Sequence, residues 1–175
     1  SGQLVPAMAS GLEIGGTMYT ELENYQPNED YPEGISGDPK ESMAYWECQG
    51  DTNRCALYSQ KFVIEELSPN GTEIDIEEFA QVAKDHGWFT EEGGTTFLNM
   101  NNMLDYYGIE NEMFFHQSIS DIEDCLNDGG KVIVSIDCHE IWYGEDNNIF
   151  APESASNHAV EVIGIDRTDP EHPMV

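Results

Sequence analysis

Two short runs rich in β-branched residues, 131–137 and 159–166, follow a stretch in which apolar residues recur at helical spacing. That order constrains the chain more than any other feature. From Cys55 onward, Leu57, Phe62, Val63, Ile64 and Leu67 read as a largely buried helix, closed by Ser68-Pro69-Asn70-Gly71. Asp75 is placed to cap a second helix with Glu78 as its reciprocal partner. Its inner stripe is Phe79, Val82, Ala83 and His86, and Gly87 ends it. Phe97, Met100, Met103, Leu104 and Tyr107 predict a third helix stopped by Gly108, followed by a short strand around Met113-Phe114-Phe115. Ser120 and Glu123 form a capping box for a fourth, carrying Ile122, Cys125 and Leu126. Helices first and strands afterwards indicate an α+β fold rather than an alternating α/β one.

Residues 1–41 lack both periods. They hold Pro6, Pro27, Pro32 and Pro39, five glycines before residue 35, and the acidic run Asn28-Glu29-Asp30-Tyr31-Pro32-Glu33. An acidic Pro/Gly-rich extension or linker is expected there, with the folded domain over 42–175. Met18, Tyr19, Tyr25 and Tyr31 give the extension something to pack against that domain.

Charge narrows the function classes. Six Lys plus Arg stand against 35 Asp plus Glu, a formal net charge of −29. A nucleic-acid partner is excluded, since a phosphate backbone needs cationic side chains, and adhesion to an anionic membrane surface is disfavoured. No apolar run approaches the ~20 residues of a membrane helix. Cys48, Cys55, Cys125 and Cys138 have no paired zinc-ligand spacing, and no His-x-x-x-His, Gly-rich phosphate loop or distinctive carboxylate couple occurs. Neither a metal nor a cofactor is expected. Whether Cys125 and Cys138 pair in a disulfide is open.

Chemistry concentrates in two segments. In Gln49-Gly50-Asp51-Thr52-Asn53-Arg54-Cys55-Ala56-Leu57 a polar loop runs into a hydrophobic helix with a cysteine at the junction. The unpaired amides and the macrodipole of a helix N-terminus favour an anion, so they promote the thiolate and can hold an oxyanion. Gln49 is placed to add a side-chain N–H there, and Arg54 reads as a solvated surface residue. In Ser156-Asn157-His158-Ala159-Val160-Glu161-Val162 a histidine stands at the entry of a strand, where an imidazole can serve a thiol as base. His139 is a reserve candidate.

Gln-x5-Cys opening a helix, with His-Ala-Val-x-Val-x-Gly-Ile-Asp about a hundred residues later, resembles papain-fold cysteine peptidases of the double-glycine leader peptidase type. The resemblance spans roughly residues 43 to 175. It implies a papain-like fold, with a nucleophile helix in an N-terminal helical part packed on a C-terminal antiparallel sheet. It further implies hydrolysis of peptide or protein substrates through a thioester. Cys55 would be the nucleophile, His158 the general base and acid, and Gln49 the oxyanion-hole donor. A catalytically silent peptide-binding module of the same fold is the alternative. The family completes its triad with an Asp or Asn. Asp166 lies roughly 26 Å along the strand from His158, at ~3.3 Å per residue. That residue, with the last strands, is therefore expected past Val175, after a turn at Asp166-Arg167-Thr168-Asp169-Pro170. A secreted or cell-surface bacterial protein fits the resemblance, with a cytoplasmic one as the alternative.

Overall fold

The computed structural model describes the backbone of residues 16–19 and, with side chains, residues 33–68, 71–115, 117–138, 157–171 and 174–175. The elements are β1 (Gly16–Tyr19), β2 (Ile35–Gly37), α1 (Pro39–Ser42), a 3-10 turn (Met43–Tyr45), α2 (Cys55–Leu67), α3 (Ile76–Asp85), β3 (Phe89–Thr90) and β4 (Gly94–Thr95). A second 3-10 turn (Phe97–Asn99), α4 (Asn102–Tyr106), β5 (Glu112–Phe114), α5 (Ile119–Asn127), β6 (Val132–Ile136), β7 (His158–Val162) and β8 (Gly164–Asp166) follow. Among the described residues every strand pair is antiparallel. One sheet has the order β5-β1-β6-β7, and β2–β8 and β3–β4 are two-stranded ribbons. The architecture is of the α+β kind.

Helix α2 forms the centre of the molecule. It is buried on all sides, even at Ser59, Gln60, Lys61 and Glu65, as a helix enclosed by other elements must be. Its polar groups are matched in place. Gln60 Nε2 donates to the Ala56 carbonyl, while its Oε1 accepts the Met103 amide at the start of α4. Lys61 Nζ donates to Glu65 and Glu47, and Glu65 accepts the Ile74 amide. One apolar cluster joins α2, α3 and α4 to Ile133 and Ala159. A second joins α5 (Ile122, Leu126) to Val132, Val134, Ile136 and Cys138, with Val162 and Ile165. Strands β6 and β7 run between the two.

Several elements depart from the sequence expectation. The stretch expected as an extension supplies β1, which lies between β5 and β6, and β2, which pairs β8. Cross-strand pairing, invisible in local periodicity, is what orders these segments. The third helix splits into a 3-10 turn and a short α4, and at the junction the Asn102 side chain bonds that of Asn99 while Asn101 bonds Asn111. Helix α5 starts earlier than expected. Ser118, not Ser120, caps it, and Asp121, not Glu123, returns the bond to the Ser118 amide at 2.7 Å. Asp75 caps α3, accepting from the Glu77 and Glu78 amides, but the Glu78 side chain returns no bond to it. His86 leaves the inner stripe, however, and stacks on Trp88 with ring centroids 4.3 Å apart. The strand expected over 159–166 is two strands. It changes partner at Ile163, where Gly37 (φ +81°) approaches so closely that a Cβ would lie 2.6 Å from the Ile163 carbonyl oxygen.

Candidate active site at the start of the buried helix

Two contacts fix how α2 lies on β7. The Ser59 hydroxyl donates to the Ala159 carbonyl, and the carboxyl groups of Glu66 and Glu161 meet further along. Seven helical residues cover ~10 Å and two strand residues ~7 Å, so helix and strand advance in the same sense. Going backwards, the helix reaches Cys55 in four residues and the strand reaches His158 in one. Cys55 and His158 therefore stand at corresponding ends of the helix and the strand.

Cys55 is half-buried in the first turn of α2, against the apolar cluster that contains Ala159. The N-cap residue, Arg54, makes no side-chain capping bond, and the first helical amide in use is that of Tyr58, which donates to the Arg54 carbonyl. The amides of the first turn, Cys55 to Leu57, are left for an anion.

Arg54 corrects one expectation. Its side chain is only 12% exposed, and it binds Glu77 at 2.6 Å and Glu91 at 3.2 Å. The Glu77 hydrogen bond raises its pKa against the opposing effect of burial, and Glu91 adds to the rise. Asn53 Nδ2 donates to the carbonyls of Glu91 and Glu92. At Gly94 (φ +66°) a Cβ would stand 2.9 Å from the Asn53 carbonyl oxygen. Arg54 and Asn53 thus fasten the β3–β4 turn and the start of α3 to the loop that carries the cysteine.

His158 opens β7, opposite Ile136 of β6. Ala159 packs with α2 and Val162 with α5, so alternation assigns His158 to the α5 side together with Ile136 and Cys138. Cys55 acts electrostatically on the Cys138 thiol, whereas among the described residues burial is the one influence on the His158 ring. Burial, then Cys55 and Asp137, push the Cys138 thiol up to about 11. Burial pushes His158 below its ordinary value, so the ring is a neutral proton acceptor at neutral pH.

Asn157, just before the histidine, is tied down. Its Oδ1 accepts the Cys138 amide at 3.0 Å and its Nδ2 donates to Asp137 at 3.1 Å. By alternation Asp137 and Asn157 share the face opposite His158. Among the described residues no hydrogen bond or ion pair reaches the His158 ring. Asp166 is engaged elsewhere: its backbone exchanges hydrogen bonds with Met174 and its carboxylate accepts from Thr168, forming the turn expected there.

Gln49 is engaged within its own loop. Its Nε2 donates to the Thr52 carbonyl and its own carbonyl accepts from the Thr52 hydroxyl, closing a small turn within the loop. His139 lies outside the described residues. None of the four cysteines is in a disulfide, Cys125 and Cys138 included. The sequence signal for Cys138 was available as a cysteine two residues after a strand paired with the histidine strand, but pairing is not legible locally. No helix among the described residues is long and apolar enough to cross a membrane, and no group of three His, Cys, Asp or Glu among them is arranged to hold a metal ion. No protein-family model, curated protein or solved structure matches this chain.

Proposed function

We propose that the chain is a papain-like cysteine peptidase that hydrolyses amide bonds of peptides through a thioester. The observation that supports this reading is Cys55 in an uncapped first turn of α2, with His158 opening the strand on which that helix lies. His158 takes the thiol proton as the sulfur attacks the carbonyl carbon. The first-turn amides of α2 hold the developing oxyanion, with Gln49 as a second donor once substrate draws its amide from Thr52. His158 returns the proton to the departing amine as the C–N bond breaks. Water, deprotonated by His158, then cleaves the thioester and restores the thiol.

In the Cys48→Ser background, iodoacetamide is expected to label Cys55 stoichiometrically at pH 6, and His158→Ala to slow that labelling about tenfold or more. A Cys55 thiol that stays unreactive below pH 8 overturns the proposal. The second reading, a silent module that binds a peptide beside Cys55, is favoured by the unpartnered His158 ring and by the engagement of Gln49 with Thr52. Peptide binding that survives Cys55→Ser, with no turnover by the parent protein, distinguishes it.

A further inference from the structure

The far end of the α2–β7 interface holds a group of charges that the catalytic reading does not use. Glu66, in the last turn of α2, accepts from the Ser42 hydroxyl at 2.8 Å and from Lys131 Nζ, all through Oε1. Lys131 Nζ also donates to Ser42 Oγ at 3.3 Å. The side chains of Glu66 and Lys131 are 10% and 9% exposed, and Ser42 is buried. Glu66 Oε2 is buried and receives no donor, and Glu161 Oε1 on β7 is buried and receives none either. Two carboxyl groups in contact, each with an orphaned oxygen, lack one hydrogen between them.

We propose that Glu66 and Glu161 share a single proton, carried by Glu161 and donated to Glu66 Oε2, and that this proton is a built-in ligand of the α2–β7 interface at neutral pH. One hydrogen satisfies both orphaned oxygens. It also removes one of two negative charges buried side by side. Among the described residues the groups beside the pair are Glu66 from α2, Lys131 ahead of β6 and Ser42 from α1. The other charges of α1, Lys40 and Glu41, are exposed, Glu65 is held by Lys61, and β6 carries no charged residue. Burial, then repulsion from Glu66, push Glu161 well above the ordinary carboxylate range, with Lys131 opposing them. A metal ion would fill the same oxygens, but the Lys131 ammonium already sits on Glu66 and repels one.

Because the folded protein holds this proton where the unfolded chain releases it, the pair stabilises fully below the ordinary carboxylate range. Its contribution is then lost as pH rises toward the folded pKa. Glu161→Gln supplies a permanent N–H donor in place of the titrating O–H. The test follows thermal unfolding of the full chain from pH 5 to pH 8 for the parent and Glu161→Gln. The expected result is that the variant gains on the parent as pH rises, the gap widening by about 5 °C. Parallel curves overturn the proposal. So does excess calcium chloride lifting the parent to the level of the variant at pH 8, which would make the pair a cation site. Should Glu161→Gln not fold, the infrared spectrum of the parent at pH 7 decides. A protonated-carboxyl carbonyl stretch is expected, and its absence overturns the proposal. Neither measurement involves catalysis, so the proposal and the peptidase reading fail separately.

Discussion

The Ser59 hydroxyl donates to the Ala159 carbonyl at 3.3 Å, joining two buried residues that stand 100 positions apart in the chain. This one bond sets which turn of α2 lies over the start of β7. Removing it by Ser59→Ala is expected to cost about 1 kcal/mol, the usual net value of a buried hydrogen bond. Urea denaturation checks this: the midpoint falls and the slope stays unchanged, because the surface exposed on unfolding is the same.

Gln60 has a larger role than a polar residue inside a helix suggests. It is fully buried, and both ends of its amide are used, one on the Ala56 carbonyl and the other on the Met103 amide in the first turn of α4. Gln60→Leu keeps the approximate volume but orphans the Met103 N–H, for which the expected cost is about 1–3 kcal/mol. Hydrogen exchange at Met103 should rise more than exchange elsewhere in α4.

Arg54 predicts a local effect. Arg54→Ala removes both ion pairs and the stem that covers the junction, and is expected to lower stability by about 1 kcal/mol, since Glu77 and Glu91 are well exposed. Limited proteolysis should then cut the β3–β4 turn first, and Arg54→Lys should only partly protect it, because one ammonium cannot reproduce the two-armed contact.

Helices α2 and α3 are legible because each announces itself locally: a buried apolar run in one, the Asp75 cap and the closing Gly87 in the other. Cys55 was found for the same reason, as the junction of a polar loop and an apolar helix is a local feature. What stayed hidden depends on pairing between distant segments. Gly16–Tyr19 has no strand pattern of its own, and it is a strand because β5 and β6 flank it. Arg54 read as solvated because its two carboxylate partners are 23 and 37 residues away. The Glu66–Glu161 contact is hidden likewise, since one glutamate among 35 acids carries no signal until helix and strand are laid together.

The four thiols should separate by environment. Cys48 is exposed, Cys55 and Cys125 are half-buried, and Cys138 is buried with its thiol pushed up to about 11. At pH 8 an aromatic disulfide reagent is expected to modify Cys48 rapidly and to leave Cys138 untouched in the folded protein, with mass mapping after trypsin as the readout. Early modification of Cys138 would mean that the margin of β6 is open to solvent.

His158 gives the prediction most directly tied to its burial. Its pKa is depressed because the half-buried ring resists taking a charge. The unfolded chain therefore binds this proton at a higher pH than the folded one. The stability due to the neutral ring is present above the unfolded value of about 6.5 and is lost as pH falls through the folded value. His158→Gln should remove that acid-side loss: parent and variant differ by a constant in melting temperature above pH 7 and converge toward pH 5. In the parent, the acid limb of Cys55 labelling should lie below pH 6.5, because the ring stays available as a base further into the acid range than a free histidine. A limb above that value would mean that the imidazolium is stabilised, which burial alone does not do and which requires an anion beside the ring.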